Sequence, residues 1–204
     1  MRRILFVAAL LGFGAVLLAA QDSRVQRANI QDVRIEEVGK SPVETKFAPG
    51  GKVRLDLCSS GVDLSGTDDS VVRVSYAREA EVRVRLEIVG DQADLKVRGC
   101  PHNNFQVRIE VPRSSSLYIR MLAGQLDIHN VVGDKNVELS FGQLTMDVGK
   151  PGDYAHVEAS VNSGDLEARA FDVSKGGLFR SFDRSGPGKY RLHAHVGAGE
   201  LDLR

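Results

Sequence analysis

Apolar and polar residues alternate one by one along most of this chain. Val53, Leu55 and Leu57 alternate with charged residues, so the three aliphatic side chains share one face of an extended segment. Similar short runs, bounded by Gly, Pro, Asn or Asp, occupy residues 62–64, 72–76, 82–88, 95–97 and 105–111. Two further extended segments are predicted at 33–38 and 43–47. Helical spacing is nearly absent after residue 20, so we predict an all-β fold.

A short phrase, Gly-x-Leu, recurs in the later part of the chain. Its four copies read Gly124-Gln125-Leu126, Gly142-Gln143-Leu144, Gly164-Asp165-Leu166 and Gly199-Glu200-Leu201. The glycines are separated by 18, 22 and 35 residues. The last interval is about twice the first, which predicts one degenerate repeat passing through Phe171, Leu178 and Phe182.

A repeat near 20 residues that carries two short strands is typical of a β-solenoid, whose coils stack about 4.8 Å apart. We expect each glycine at a corner, where a Cβ would clash or φ must be positive, and each following Leu in the core. A β-sandwich also has short alternating strands, but it does not require one phrase at every turn. The sequence therefore predicts a single-domain β-solenoid over residues 43–204, preceded by an extended segment at 21–42.

The first twenty residues have the pattern of a signal peptide. Arg2 and Arg3 precede an apolar run, and Ala19 and Ala20 supply the small residues that favour cleavage. The run is short for a membrane span, which needs about 20 residues. We predict cleavage after Ala20 and export to the bacterial periplasm or cell surface; an uncleaved anchor is the alternative.

Charge argues against two classes of partner. The chain has 27 basic and 27 acidic residues, and loss of Arg2 and Arg3 leaves 25 and 27, a net charge of about −2. The two signs are interleaved, so bulk charge recruits neither nucleic acid nor an anionic bilayer.

Cys58 and Cys100 are a candidate disulfide. An exported pair of thiols tends to be oxidised, and an even number leaves none unpaired. Closing a loop of about 43 residues would stabilise the fold by about 3 to 4 kcal/mol in the chain-entropy model. The alternative is two unpaired, half-buried thiols in adjacent turns.

Several of these motifs together resemble the bacterial "putative adhesin" domain family of unknown function. The motifs are Gly51-Lys52-Val53-Arg54-Leu55, Ser60-Gly61-Val62-Asp63-Leu64, the strand through Val107, Ile109 and Val111 that ends at Pro112, and the Gly-x-Leu series. The resemblance covers about residues 43–204 and implies an exported, β-rich scaffold related to autotransporter-adhesin head domains and envelope-stress domains. It carries no catalytic residue over to this chain, which also departs from the family in its two cysteines.

Two sets of polar residues suggest metal binding. His193 and His195 lie on one face of a strand, where Glu200 or Asp202 would be the third ligand. The alternation places both rings on the solvent side, which is the simpler interpretation. The polar residues after the four glycines occupy the same place in each repeat and suggest a ladder along one edge; these are Gln125, Gln143, Asp165 and Glu200. Stacked carboxylates bind calcium in several β-solenoids, but the Gly-Gly-x-Gly-x-Asp repeat of those proteins is missing from this sequence. A preference for polar residues at exposed corners is the simpler interpretation.

Carboxylates near each phrase suggest glycoside chemistry, which needs a converging pair. The residues that would line up are Asp127, Asp147, Glu167 and Asp202. No Gly-x-Ser-x-Gly nucleophile motif is present. We therefore assign no catalytic, cofactor-binding or metal-binding residue.

The pattern favours an exported, non-enzymatic scaffold or adhesin-like protein that binds through a rigid surface. Its expected partner is an envelope protein or glycan, and not nucleic acid. We also expect that the last strand, residues 200–204, is an open edge for augmentation or homo-oligomer formation. An envelope-stress accessory that senses a ligand is the alternative, and a carbohydrate-active enzyme is a more remote one.

Overall fold

The computed structural model describes residues 32–77, 81–101 and 105–204. The predicted leader, its cleavage site after Ala20, and His102 lie outside these ranges. Two short 3₁₀ turns, Pro151–Asp153 and Arg169–Phe171, interrupt the strands. The strands are β1 (Val33–Val38), β2 (Val43–Lys46), β3 (Lys52–Leu57), β4 (Ser60–Thr67), β5 (Val71–Tyr76), β6 (Arg83–Val89), β7 (Gln92–Arg98), β8 (Gln106–Pro112), β9 (Ser116–His129), β10 (Lys135–Met146), β11 (Tyr154–Ala168), β12 (Val173–Ser185) and β13 (Tyr190–Leu203). The predicted all-β class is confirmed.

All thirteen strands belong to one mixed sheet whose pairings form two rows. The first row has the order β1-β6-β7-β3-β9-β10-β13-β11-β12. The second row begins β2-β5-β8-β4 and continues through the other halves of the same long strands. Each long strand therefore runs through both rows and turns from one to the other at its middle.

The two rows share one hydrophobic core. Alternate residues are buried in nearly every strand, as the two-residue period predicted, and they form a single cluster. Leu126, Leu144, Leu201 and Leu166 stand in register across four strands and are fully buried. The predicted core position of the Leu in each phrase is confirmed. Burial of each such side chain contributes about 1.5 to 3 kcal/mol.

The strands do not stack in the order of the sequence, contrary to expectation. β10 pairs with β9 as predicted, but β13 lies between β10 and β11. The connection from β11 to β12 explains part of this order. It spans only Arg169–Asp172, too short for the crossover that parallel strands need, so β12 returns antiparallel to β11.

The prediction of an open edge at residues 200–204 is wrong. β13 is paired along its length with β10 on one side and with β11 on the other. The predicted degenerate repeat does form a strand, β12, and this strand is an edge of the described sheet. The solenoid itself is not confirmed, because the two rows do not close into a tube and their order departs from coil-by-coil winding.

The inward residues of β12 explain why it lies at an edge. Cross-strand pairs point to the same face of a sheet. Lys175, Arg180 and Arg184 stand opposite buried residues of β11 and so occupy core-facing positions. Their charges would be costly to bury under a further strand. At the end of the sheet all three remain exposed.

Candidate functional site

The turn between the two rows is made by a row of glycines. Gly124, Gly142, Gly199, Gly164 and Gly177 are consecutive neighbours across five strands. Gly142 and Gly199 have φ of 128° and 140°, a region that side chains rarely adopt. A Cβ on Gly142 would overlap the carbonyl oxygen of Gly124, and one on Gly199 would overlap that of Gly142. Both reasons given for a corner glycine are confirmed.

Four large apolar side chains project beside this row of glycines. Leu122 is 63% exposed, Phe141 57%, Leu178 63% and Phe179 79%. We call these four residues the corner ridge. They lie one or two residues from a corner glycine, at the point where the strand changes rows and the inward alternation shifts by one residue. At Phe141 the shift turns outward a side chain that continues the inward alternation of Val137 and Leu139.

The register places Phe141 and Leu178 on one line, with Leu122 and Phe179 beside its two ends. Phe141 pairs with Ala123, next to Leu122, and Leu178 pairs with Ser163 at the far end. Ala198 lies between Phe141 and Ser163. Four strand spacings of about 4.8 Å make a line of roughly 19 Å.

Depressions flank the corner ridge on the outer surface of the first row. One of about 460 Å³ is lined by Phe141, Asn162, Gly197 and Ala198 among others. Another of about 520 Å³ is lined by Leu122, Met121 and Cys58 among others. Large and small residues both border these depressions, so the surface is uneven and can receive side chains of a partner.

The Cys58–Cys100 disulfide lies at the same bend, and its presence confirms the predicted pairing. Leu57 pairs with Met121 and Ser60 with Gly124, so Cys58 is beside Leu122. The Cα atoms of Cys58 and Cys100 are 5.9 Å apart. The bond joins the corner after β3 to the end of β7, the next strand of the first row. It therefore fixes the bend where the glycine row ends.

The outer face of the first row is covered by ion pairs. Arg120 lies 3.2 Å from Glu138, and Arg54 lies 3.9 Å from Asp94. These exposed pairs join neighbouring strands, as the alternation of charges suggested. Opposite charges cancel there, which leaves the corner ridge as the more distinctive surface.

The predicted polar ladder forms, although in a different order. Gln125, Gln143, Glu200 and Asp165 are neighbours in register along the second row. The amide of Gln143 donates to Glu200 at 3.2 Å, whereas Gln125 donates to Asp127 at 2.8 Å. The amides thus bind carboxylates within the ladder and beside it.

The predicted line of carboxylates forms only in part. Asp127, Thr145, Asp202 and Glu167 are neighbours in register, while Asp147 lies outside this row and contacts His129 at 3.0 Å. Asp202 is 1% exposed. Its Oδ2 accepts a hydrogen bond from Arg204 at 2.8 Å and lies 3.4 Å from Arg169. Two arginines thus balance the buried carboxylate.

His193 and His195 lie on the outer face, as the alternation predicted, and each contacts β11. His193 lies 3.2 Å from Glu158, and His195 lies 2.9 Å from Ser160. The ladder position of Glu200 and the arginine contacts of Asp202 do not bring a third ligand to them. Within the described ranges, no group of three or more His, Cys, Asp or Glu side chains is placed to hold a metal ion.

Lys135 is a buried cation that the sequence reading missed. Its side chain is in a core-facing position at the start of β10 and is 2% exposed. The ammonium donates to the Tyr154 hydroxyl at 2.6 Å, and that hydroxyl donates to the Val148 carbonyl at 3.0 Å. Burial lowers the pKa of Lys135 to about 8, and burial also raises the pKa of Tyr154. No sequence motif marks this pair.

The corner ridge was also missed, although one signal was present. Met121, Leu139, Val161 and Val196 each stand three positions before a phrase glycine. Leu122 follows Met121 and is out of phase with it, and an apolar residue out of phase with its strand is expected at the surface. Phe141 is in phase with Val137 and Leu139, so the same alternation predicts it in the core.

These features define an all-β protein with a bent mixed sheet and an exposed apolar corner. Comparison with known proteins gives little more. No protein-family model matches the chain, so the resemblance to the "putative adhesin" family is not confirmed by one, and no curated protein matches it either. None of the described segments forms a helix long and apolar enough to cross a bilayer.

One solved structure is similar at a low level. It is described as a "putative cell adhesion protein" from Clostridium sporogenes ATCC 15579 and has a TM-score of 0.49 with 14% sequence identity. The match covers 79% of this chain and 97% of that chain. A likeness at this level defines neither a family nor a function here.

Proposed function

We propose that this chain is an exported, non-enzymatic protein of the bacterial cell envelope that binds a partner through its corner ridge. The bent sheet would be a rigid scaffold of the solenoid type that presents a binding surface, which is an adhesin-like role. Export is supported by the Cys58–Cys100 disulfide, which is typical of oxidising compartments, and by the leader-like first twenty residues.

The observation that carries the proposal is the exposure of Leu122, Phe141, Leu178 and Phe179 at one bend of the sheet. Large apolar side chains that are exposed near one another on a folded domain commonly mark an interaction site. The backbone that carries these side chains is held in place by the glycine row and the disulfide. A preorganised surface loses little conformational entropy on binding.

Sedimentation with purified cell envelopes of the producing bacterium tests this proposal. We expect Phe141→Ser to weaken binding roughly tenfold or more, as removal of a central aromatic anchor does. The matched control is Val89→Ser, because Val89 is 54% exposed, close to the 57% of Phe141, but lies on β6 away from the corner ridge. Equal binding by Phe141→Ser and the unchanged protein would refute the proposal, provided that both melt at the same temperature.

A further inference from the structure

The corner ridge is not uniform along its length. At the β12 end, Leu178 and Phe179 are consecutive and Arg180 follows directly, with Lys175 three residues before Leu178. We call Lys175, Leu178, Phe179 and Arg180 the β12 tip. At the other end Leu122 is the only large exposed apolar side chain among the described residues of β9 besides the half-exposed Tyr118.

The structure holds the cations of the β12 tip beside its apolar residues. Lys175 donates from Nζ to the Ser181 carbonyl at 2.7 Å, and Arg180 donates from Nε to the Gly176 carbonyl at 2.7 Å. Both bonds cross the bend of β12. The first uses one of the three N–H groups of Lys175, and the second uses one of the five N–H groups of Arg180. Further N–H groups are thus directed to the surface next to Leu178 and Phe179.

The conformation of Phe179 needs an explanation that the fold does not supply. Phe179 has φ of 52°, which is uncommon for an aromatic residue, and it is 79% exposed. Gly or Asn would take this conformation with less strain and without exposing a ring. Strained residues that packing does not require are concentrated at functional sites.

The net charge of β12 is positive although the whole chain is neutral. Lys175, Arg180 and Arg184 oppose one acid, Asp183, which lies 3.4 Å from His156. Arg184 lies over the Phe171 ring at 5.6 Å. Asp165 of β11 is the acid beside Gly176 at the tip. Within β12 cations therefore exceed acids by two, while the neighbouring strand β11 carries Glu158, Asp165 and Glu167.

From this combination we infer that the β12 tip contacts the surface of a membrane that contains anionic lipids. Leu178 and Phe179 enter the boundary between headgroups and acyl chains, while Lys175 and Arg180 bind lipid phosphates. A polyanionic glycan would use the cations alone and would leave the two apolar side chains in water, so the lipid surface accounts for more of the tip. This inference rests on the proposed function and names the partner at one end of the corner ridge.

Sedimentation of the purified protein with phosphatidylcholine vesicles, with and without phosphatidylglycerol, tests the inference. We expect binding only when phosphatidylglycerol is present, and weaker binding at high salt because the Debye length shortens. Phe179→Asn keeps the left-handed backbone and should weaken binding roughly tenfold or more. Lys175→Gln with Arg180→Gln should remove most of the salt dependence.

Val89→Ser is the matched control, since Val89 is 54% exposed, comparable with the 63% of Leu178, and lies on β6 outside the corner ridge. It should bind the vesicles as the unchanged protein does. Three results would overturn the inference: no vesicle binding, equal weakening by Val89→Ser, or binding to heparin that Phe179→Asn leaves unchanged. If vesicles fail to bind but Phe141→Ser still loses envelope binding, only the lipid partner is wrong. If Phe141→Ser retains envelope binding, the proposed function fails whatever the vesicles show.

Discussion

At the scale of single residues, the corner glycines constrain the molecule most tightly. Gly142 lies between Gly124 and Gly199 in the middle of the row, with a φ that L-residues avoid. We predict that Gly142→Ala lowers the free energy of unfolding by about 2 kcal/mol or more, from backbone strain and from overlap with the neighbouring strand. Urea unfolding measures the difference.

Gly152→Ala is the control for this prediction. A Cβ at Gly152 would meet no atom within 4 Å, and the residue lies in a 3₁₀ turn. Its free energy of unfolding should change by less than about 0.5 kcal/mol, as for ordinary surface substitutions. Similar losses in the two variants would show that the corner is more tolerant than its geometry indicates.

The buried Lys135 predicts how the stability of the fold depends on pH. Its pKa is lowered from 10.5 in the unfolded chain to about 8 in the folded protein, so between these values the unfolded state binds more protons. Stability should therefore rise with pH above about 8. Two pH units correspond to about 2 to 3 kcal/mol.

The test measures the free energy of unfolding of the unchanged protein and of Lys135→Met between pH 8 and 10. The free energy of unfolding of the variant should not rise with pH in this range. Measurements stop at pH 10 because the raised pKa of Tyr154 acts in the opposite direction above its unfolded value of 10.0. Parallel pH profiles for the two proteins would contradict the predicted role of Lys135.

At the scale of elements, the sequence predicted strands far better than it predicted their order. Residues 33–38 were predicted as extended and form β1, because a two-residue period is a local property of the chain. The position of β13 between β10 and β11 depends on which edges remain free after β11 and β12 pair, and no local pattern records that. Charges at core-facing positions, such as Lys175 and Arg180, were the available sign that β12 is an edge.

The candidate site was predictable to a similar degree. The glycine corners and the polar ladder were found from spacing, because both repeat with the strands. Phe141 and Phe179 were not identified as surface residues, since their exposure follows from a shift of alternation at the bend. Lys135 depends on contacts between distant strands, which a single sequence does not contain.

At the scale of the whole molecule, the disulfide supports the half that has no Gly-x-Leu phrase. Replacing Cys58 and Cys100 together by Ser should lower the free energy of unfolding by about 3 to 4 kcal/mol, because the bond spans 42 residues. Reduction of the unchanged protein should cause the same loss. The double variant should not respond to reductant, and a loss below about 1 kcal/mol in both cases would contradict this account.

The central position of β13 has a consequence for how the molecule is made. A protein is synthesised from its N-terminus, and β13 is the last of the described strands to emerge. Until then β10 and β11 are separate halves of an incomplete sheet, each with a long unpaired edge. Folding of the glycine-rich half must therefore wait until β13 has been made. During that interval the two edges are free to pair with the edges of other chains.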